Sequence, residues 1–512
     1  MRTSRFTTRI GIVIIAASLL LVGLGAAPAF GEALNPPAGA DIIAGSPNKT
    51  EVAFAAAGTT IYRTDDGGAT WQEAGTLTSP ARSLVVTAGN SPLLLVGTAT
   101  AGVFRSFDDG ATWQAANDGL GMTPGAILEV NALGADPQDP RIVYAATGYR
   151  LGTSTVRYTP AALLVSVDSG ATWLPLTTLP LNSPRYNYLA AVAGQPLTVQ
   201  AIADEGSSTT YGVDVAVLPA LLDTGDVSPA RQAAAARALG LLGDASAVPA
   251  LLTAAQSVEP QVANAAVEAL GMLQAEDAIA TLSTLLAEPR TASSSSVANA
   301  LAAIGTPEAL APLYAALTSD DLTPDRHAAM SALEQLGSAA VPGLLKLTDS
   351  ESPIIQRNAV EMLGWIADPA ATDALAAALQ ASDPGVRAQA AWALGETLAG
   401  VSEPGAVQIA AQQALAAAAV NDLSPDVRVH ATQAMARLPQ RPFVAADASG
   451  MDAATASAGY APVGQQSGLR LPDWLATALP ALRWLVLGLA LAATAALPWL
   501  QNVREHRRRR NS

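Results

Sequence analysis

Apolar positions along this 512-residue chain follow two rhythms. From about residue 41 to residue 217 they form short β-prone runs, as in Glu51-Val52-Ala53-Phe54, Leu93-Leu94-Leu95-Val96 and Arg141-Ile142-Val143-Tyr144. Runs of that length bounded by turn residues predict strands. From residue 223 to residue 438 the apolar residues recur instead at spacings of three and four, which predicts helices with one buried stripe each. Two further stretches, 10–24 and 484–500, carry no charge at all.

The helical part repeats a phrase. It reads Ala238-Leu239-Gly240, Ala269-Leu270-Gly271, Ala303-Ile304-Gly305, Ala332-Leu333-Glu334, Met362-Leu363-Gly364, Ala393-Leu394-Gly395 and Ala434-Met435-Ala436, with centres 31, 34, 29, 30, 31 and 41 residues apart. A period near thirty means stacked units, none of which buries its apolar face alone. Most units open on a turn ending in Pro: Ser228-Pro229, Glu259-Pro260, Thr323-Pro324, Ser352-Pro353, Asp383-Pro384 and Ser424-Pro425. Ser, Thr and Asp cap helix starts, and Pro suits the first turn. Gly in the phrase serves as a C-cap or as a point of close approach. Ala235, Ala266, Ala329, Ala359, Ala390 and Ala431 precede the central residue by one turn, where a small side chain lets helices meet.

This pattern resembles HEAT repeats of the short kind known from phycobilisome lyases, over some 215 residues. The resemblance implies an all-α solenoid that binds proteins. Asp383-Pro384-Gly385-Val386-Arg387 fits the family's usual opening, and Ser424-Pro425-Asp426-Val427-Arg428 nearly does. Elsewhere the arginine shifts, to Arg231, Arg326 and Arg357, and the expectation is that these arginines bond turns of the next unit. The third unit opens on Ser293-Ser294-Ser295-Ser296 and is expected to be loose or distorted. The 41-residue last interval predicts a longer loop or second helix.

Three octapeptides punctuate the strand region. They are Thr64-Asp65-Asp66-Gly67-Gly68-Ala69-Thr70-Trp71, Ser106-Phe107-Asp108-Asp109-Gly110-Ala111-Thr112-Trp113 and Ser166-Val167-Asp168-Ser169-Gly170-Ala171-Thr172-Trp173. A short acidic side chain accepting backbone N–H groups, a Gly able to take positive φ and an anchoring Trp make a hairpin turn. These segments resemble the Asp-box (BNR) repeat of β-propellers. The resemblance implies that the boxes are structural and lie away from the binding face. Their spacings of 42 and 60 residues leave room for only three to four blades, so either degenerate blades lie in residues 181–217 or the stack is open and capped, with the helical array as the nearest cap. Sialidases share the repeat, and Arg82, Arg141, Arg150, Arg157, Arg185, Tyr158, Tyr186, Tyr188, Asp204 and Glu205 supply the residue types of that chemistry. The family's arginine-bearing Phe/Tyr-Arg-Ile-Pro opening is absent, so glycosidase or glycan-binding function is the alternative reading rather than the main one.

The chain ends suggest a topology. Arg2, Arg5 and Arg9, the apolar run and Ala27-Pro28-Ala29 read as a signal peptide over 1–29, or an uncleaved anchor. Residues 473–500 read as a transmembrane helix followed by a basic cytoplasmic tail, 501–512. A flexible Ala/Gly/Ser/Asp-rich linker, 441–472, precedes the span. The chain carries a net −15, and the body between the two ends about −23, which disfavours nucleic acid and anionic lipid and favours solubility or cationic partners. It has no cysteine, hence neither disulfides nor thiolate metal sites.

A screen for chemistry finds no His-Glu-x-x-His, no Gly-x-Ser-x-Gly and no phosphate loop. His327, His430 and His506 are scattered, and the acidic pairs Asp65-Asp66, Asp108-Asp109 and Asp320-Asp321 have sufficient turn explanations. No catalytic, cofactor or metal residue is assigned, and no enzyme is expected. The expectation is a multidomain protein: an all-β partial propeller (40–217), an all-α HEAT solenoid (218–440) and one C-terminal transmembrane helix. It would act as a single-pass cell-membrane scaffold with its bulk extracytoplasmic, presenting an acidic surface to other proteins at the outer face of the membrane, with assembly of membrane complexes as the runner-up role.

Overall fold

The computed structural model describes residues 35–438, apart from 90–92, 123–125, 152–156, 224, 289–290, 319–322 and 403. The expected signal peptide, linker, membrane helix and basic tail lie outside these residues.

The strand region folds into four antiparallel sheets, each a simple meander. The first holds β1 (Ile42–Gly45), β2 (Ala53–Ala57), β3 (Thr60–Thr64) and β4 (Gln72–Thr76). The second holds β5 (Ala81–Val86), β6 (Leu94–Thr98), β7 (Val103–Ser106) and β8 (Gln114–Ala115). The third holds β9 (Ile127–Ala135), β10 (Val143–Leu151), β11 (Arg157–Ser166) and β12 (Leu174–Thr178). The fourth holds β13 (Tyr186–Ala191), β14 (Thr198–Ala203) and β15 (Ser208–Gly212).

Strand alternation stacks them. On β6, Leu94 and Val96 face a core shared with Phe54 and Ile61 of the first sheet, whereas Leu95 faces one shared with Leu128 and Val143 of the third. On β10, Val143 and Ala145 look back toward the second sheet, and Tyr144 and Ala146 look on toward Leu189 and Val199 of the fourth. Side chains alternate with period two, so each middle sheet is buried on both faces. The first strands lead the stacking, β1 against β5, β5 against β9 and β9 against β13.

The three octapeptides form one repeated turn between the third and fourth strands of their sheets. In the first, Thr64 Oγ1 donates to Asp66 Oδ1 at 2.7 Å and accepts from Gly68 N at 2.9 Å. Asp66 in turn accepts from Thr70 N at 2.9 Å and from Thr70 Oγ1 at 2.7 Å. Ser106 with Asp108 and Thr112, and Ser166 with Asp168 and Thr172, repeat this geometry. The third tryptophan reaches back to the second sheet's end: Trp173 is fully buried and its Nε1 donates to Ala116 O at 2.9 Å.

The helices follow as two layers. The phrase-bearing helices are α2 (Pro229–Leu242), α4 (Pro260–Met272), α6 (Ser294–Ile304), α8 (Pro324–Leu336), α10 (Pro353–Ile366), α12 (Pro384–Ala399) and α14 (Pro425–Arg437), each packed on the next. The others are α1 (Leu218–Leu222), α3 (Val248–Ala254), α5 (Ile279–Ala287), α7 (Pro307–Ala315), α9 (Val341–Thr348), α11 (Thr372–Ala378) and α13 (Ala406–Asn421). The six alanines one turn before the phrase are fully buried in the seam between neighbours. Six of the phrase-bearing helices begin on the expected proline. The third unit is not loose: Ser293 Oγ caps α6 by accepting from Ser296 N at 3.1 Å, and Ser293 N donates to Asn264 Oδ1 of the unit before at 2.7 Å. The long last interval is a 16-residue α13.

One expectation is corrected. Among the described residues no helix is long and apolar enough to cross a membrane; the longest, α12 and α13, have 16 residues each. At 1.5 Å per residue that is about 24 Å, short of a hydrocarbon core of about 30 Å. The fold is therefore four antiparallel sheets followed by helical repeats. The described residues thus do not support the transmembrane element of the fold class or the single-pass cell-membrane localisation; the segment expected to span, 473–500, lies outside them.

Candidate functional site

The third sheet has the longest strands, of 9, 9 and 10 residues in β9, β10 and β11, against 4–6 in most of the others. This length accounts for much of the wide spacing before the third octapeptide. The register places the extra residues. Val143 pairs with Ser166 at the octapeptide end, while Arg150 pairs with Tyr158 and Gly148 with Glu129 at the other. The extension thus projects away from the octapeptide turns.

Glu129 is the centre of this end. Its side chain is fully buried and three arginines converge on it. Arg150 Nε donates to its Oε2 at 2.5 Å, Arg185 Nη2 donates to its Oε1 at 2.5 Å, and Arg82 Nε stands 3.5 Å from Oε1. Arg82 comes from β5, and Arg185 sits just before β13, so three sheets contribute. A buried carboxylate is tolerated only when paired and hydrogen-bonded, which fixes these arginines in place.

Tyr158 completes the cluster. Its ring lies over Gly148, where a Cβ would stand only 2.3 Å from the ring, and the Arg185 guanidinium sits 5.3 Å from the ring centroid. Its hydroxyl donates to Asn131 Oδ1 at 2.9 Å, and Asn131 donates to Tyr186 O. Burial, only partly opposed by Arg185, pushes the phenol up to about 12, so it stays protonated near neutral pH.

Of the ten residues of sialidase type, Arg82, Arg150, Arg185 and Tyr158 are brought together. Arg141 is elsewhere, holding Asp139 at 2.7 Å; Tyr186 bonds Tyr211 at 2.7 Å, Asp204 bonds Asn187, and Glu205 accepts from Ser207 at 2.9 Å. Tyr188 is apart, its phenol raised by burial, and the Arg157 side chain is outside the described residues. Glu129 was missed by reasoning from sequence. Its signal is a charge inside the apolar alternation Leu128-Glu129-Val130.

The helical array offers the second surface. Its seam is mostly apolar, and the unit arginines serve it. Arg387 holds Asp422 of the next unit through Nε at 2.8 Å and Nη2 at 3.0 Å. Buried Arg326 donates to Asn358 Oδ1 of the next unit at 2.9 Å. Arg231, in the first unit, donates instead to Trp173 O of the third sheet at 3.1 Å. Outside the seam, Met272 and Trp365 follow the phrase directly and are exposed. Trp365 is 54 % exposed and meets Trp392 edge to face at 5.3 Å.

Comparison with known proteins agrees with this layout. The family model described as HEAT repeats matches residues 215–295, 260–334 and 341–436, and the one described as PBS lyase HEAT-like repeat matches 325–350. The helical array is built of HEAT repeats. No curated protein matches the chain. Among solved structures, the chain is similar to the GH74 xyloglucanase from Xanthomonas campestris, at 20% identity over 34% of this chain and 28% of that one, with a TM-score of 0.24. It therefore spans little more than a quarter of that enzyme. The complex of CpcE and CpcF of phycocyanin lyase from Nostoc sp. PCC7120 is similar at 29% identity over 26% of this chain and 80% of that chain, TM-score 0.23. Human deoxyhypusine hydroxylase is similar at 25% identity over 44% of this chain and 83% of that chain, TM-score 0.20.

Proposed function

We propose that the protein is a protein-binding scaffold. Its HEAT array presents the docking surface, and its sheet stack is a partial propeller of Asp-box blades that acts as a rigid second module. One observation carries the reading: Trp365, one of two tryptophans of the array, stands more than half exposed with its ring edge to face against the other, Trp392. Aromatic anchors of this kind dominate interface energies. The chain's net charge of −15 favours a partner with a basic rim around its apolar anchor point. The test is a photo-crosslinking residue at position 365 in the full chain inside producing cells. Discrete protein adducts, lost when the crosslinker is moved to buried position 363, are expected. No adduct at 365 would overturn the reading.

The arginine cluster favours a second reading, glycan binding, without turnover. Glu129 is committed to three guanidiniums and Tyr158 to a donor role, so neither is available as acid, base or nucleophile. Hydrolysis of fluorogenic sialosides or other glycosides by the purified chain would contradict this part.

A further inference from the structure

We infer that α13 is a self-association surface, pairing antiparallel with α13 of a second copy of this chain about a two-fold axis at Gln413. This goes beyond the scaffold reading, which concerns Trp365 of the phrase-bearing layer and a different protein.

The first support is what α13 leaves uncovered. Of its 16 residues only Ala411 and Leu415 are buried, against nine in α12, which has the same length. Ala406, Ile409, Ala410, Gln413, Ala417 and Val420 are all exposed. Their spacing of three and four puts them on one face, opposite Ala411 and Leu415. Among the described residues, five of the fourteen exposed large apolar side chains fall between 407 and 429, with Val420 at 75 % and Leu423 at 93 %. Exposed apolar surface concentrated in this way marks an interface.

The second is charge. α13 is the longest described helix without a charged residue. Asp422, which follows it, is already held by Arg387 of α12. A basic partner therefore finds no carboxylate on this face to match. Two copies of a chain with net charge −15 repel over most of their surfaces, and an uncharged face lets them meet without that cost.

The third is self-complementarity. In a two-fold pairing residue i meets residue j, and j meets i. Centred on Gln413, an antiparallel pairing sets Val420 against Ala406, Ile409 against Ala417 and Ala410 against Ala416. Each β-branched side chain meets an alanine, so the two helices can approach closely and interdigitate. At the axis the two Gln413 amides face each other, and each carries the donor and the acceptor that the other needs. One polar residue in an apolar seam also fixes its register. A parallel pairing would set Val420 on Val420 and Ala406 on Ala406, crowding one end and leaving a gap at the other.

The fourth is position. Among the described residues α13 is the last helix of its layer; it packs on α11, and no later helix of that layer covers it. The opposite end of the array is closed, because Arg231 joins the first unit to the third sheet. The 16 residues of α13 span about 24 Å, enough for about four turns of contact.

The test is sedimentation of the full chain over a concentration series, and a reversible monomer–dimer equilibrium is expected. Gln413→Glu and Gln413→Lys each place like charges at the axis, and each should weaken dimerisation by at least about tenfold. A one-to-one mixture of the two should recover the dimer, because the axis then pairs unlike charges. Position 413 is exposed and Gln, Glu and Lys are comparable helix formers, so the melting curves should not change. Val258→Glu, at an exposed apolar position elsewhere in the array, should associate as the parent does. A parent chain that stays monomeric, single variants that associate like the parent, or a mixture that fails to recover the dimer would each overturn the proposal.

Discussion

A single missing Cβ decides how closely two repeats meet. At Gly240, Gly271, Gly364 and Gly395 an added Cβ would come within 2.4 to 2.9 Å of the facing helix: Ala269, Ala300, Trp392 and, at 2.6 Å, Ala434. Gly305 does something else, ending α6 in the left-handed conformation with φ 72°. So the same letter in the repeated phrase performs close approach four times and capping once. Gly271→Ala should destabilise the chain by about 1–2 kcal/mol, overpacking outweighing the gain in helix propensity. Gly400→Ala, with nothing within 4 Å and no positive φ, should be neutral or stabilising by up to about 1 kcal/mol. Urea unfolding of both variants checks the contrast; equal effects would show that the seam is not the cause.

The octapeptide turns act as elements, each closing a hairpin through one carboxylate. Hydrogen bonds from Thr70 and Thr64 hold Asp66 down to about 2, from an ordinary 3.8, and Thr112 with Ser106 lowers Asp108 in the same way. The folded carboxyl titrates below the unfolded one, so protonation favours the unfolded chain. The turn's contribution is complete above pH ~4 and is lost as pH falls toward about 2. Carboxyl NMR shifts of Asp66 followed from pH 6 downward should show a midpoint well below that of a free aspartate; an ordinary midpoint would mean the bonds are not made. These turns were legible from sequence because all their partners lie within eight residues. The repeats were legible because their period is local too. The Glu129 cluster was not, since Arg82, Glu129, Arg150 and Arg185 are separated by whole strands and only register and stacking bring them together. The membrane helix was expected from apolar length with flanking tryptophans and a basic tail, in a segment outside the described residues.

At the scale of the molecule, one buried apolar cluster runs from Tyr144 and Leu189 of the sheets through Leu218 into the helical seam, as far as Leu438. Arg231 closes the joint. Near the start of α2, as Arg387 is near the start of α12, it points the other way: Arg387 holds the following unit's turn, whereas Arg231 holds the carbonyl of Trp173 before it, at a point where Gly119 leaves just enough room. Ser228, the cap of α2, also donates to Asp118 beside it. The third sheet thus stands where a preceding repeat would be. Arg231→Ala should therefore lower hydrogen-exchange protection of α2 by about 1–3 kcal/mol, with α12 unchanged, because solenoid coupling is nearest-neighbour. Equal loss in α12 would mean that the joint is not local. The fourth phrase carries Glu334 in place of glycine, and at the other end of the same helix Arg326 donates to Asn358 of the next unit.

The joint at Trp173 also sets an order of events. A solenoid assembled from its first repeat must begin on a half-exposed surface, with an apolar face waiting for a neighbour not yet made. Here residues 42–212 leave the ribosome first, and α2 emerges onto a surface already finished by the third sheet. Each later repeat then adds to an edge that is already packed, and the N-terminal end of the stack is covered before the first repeat is made.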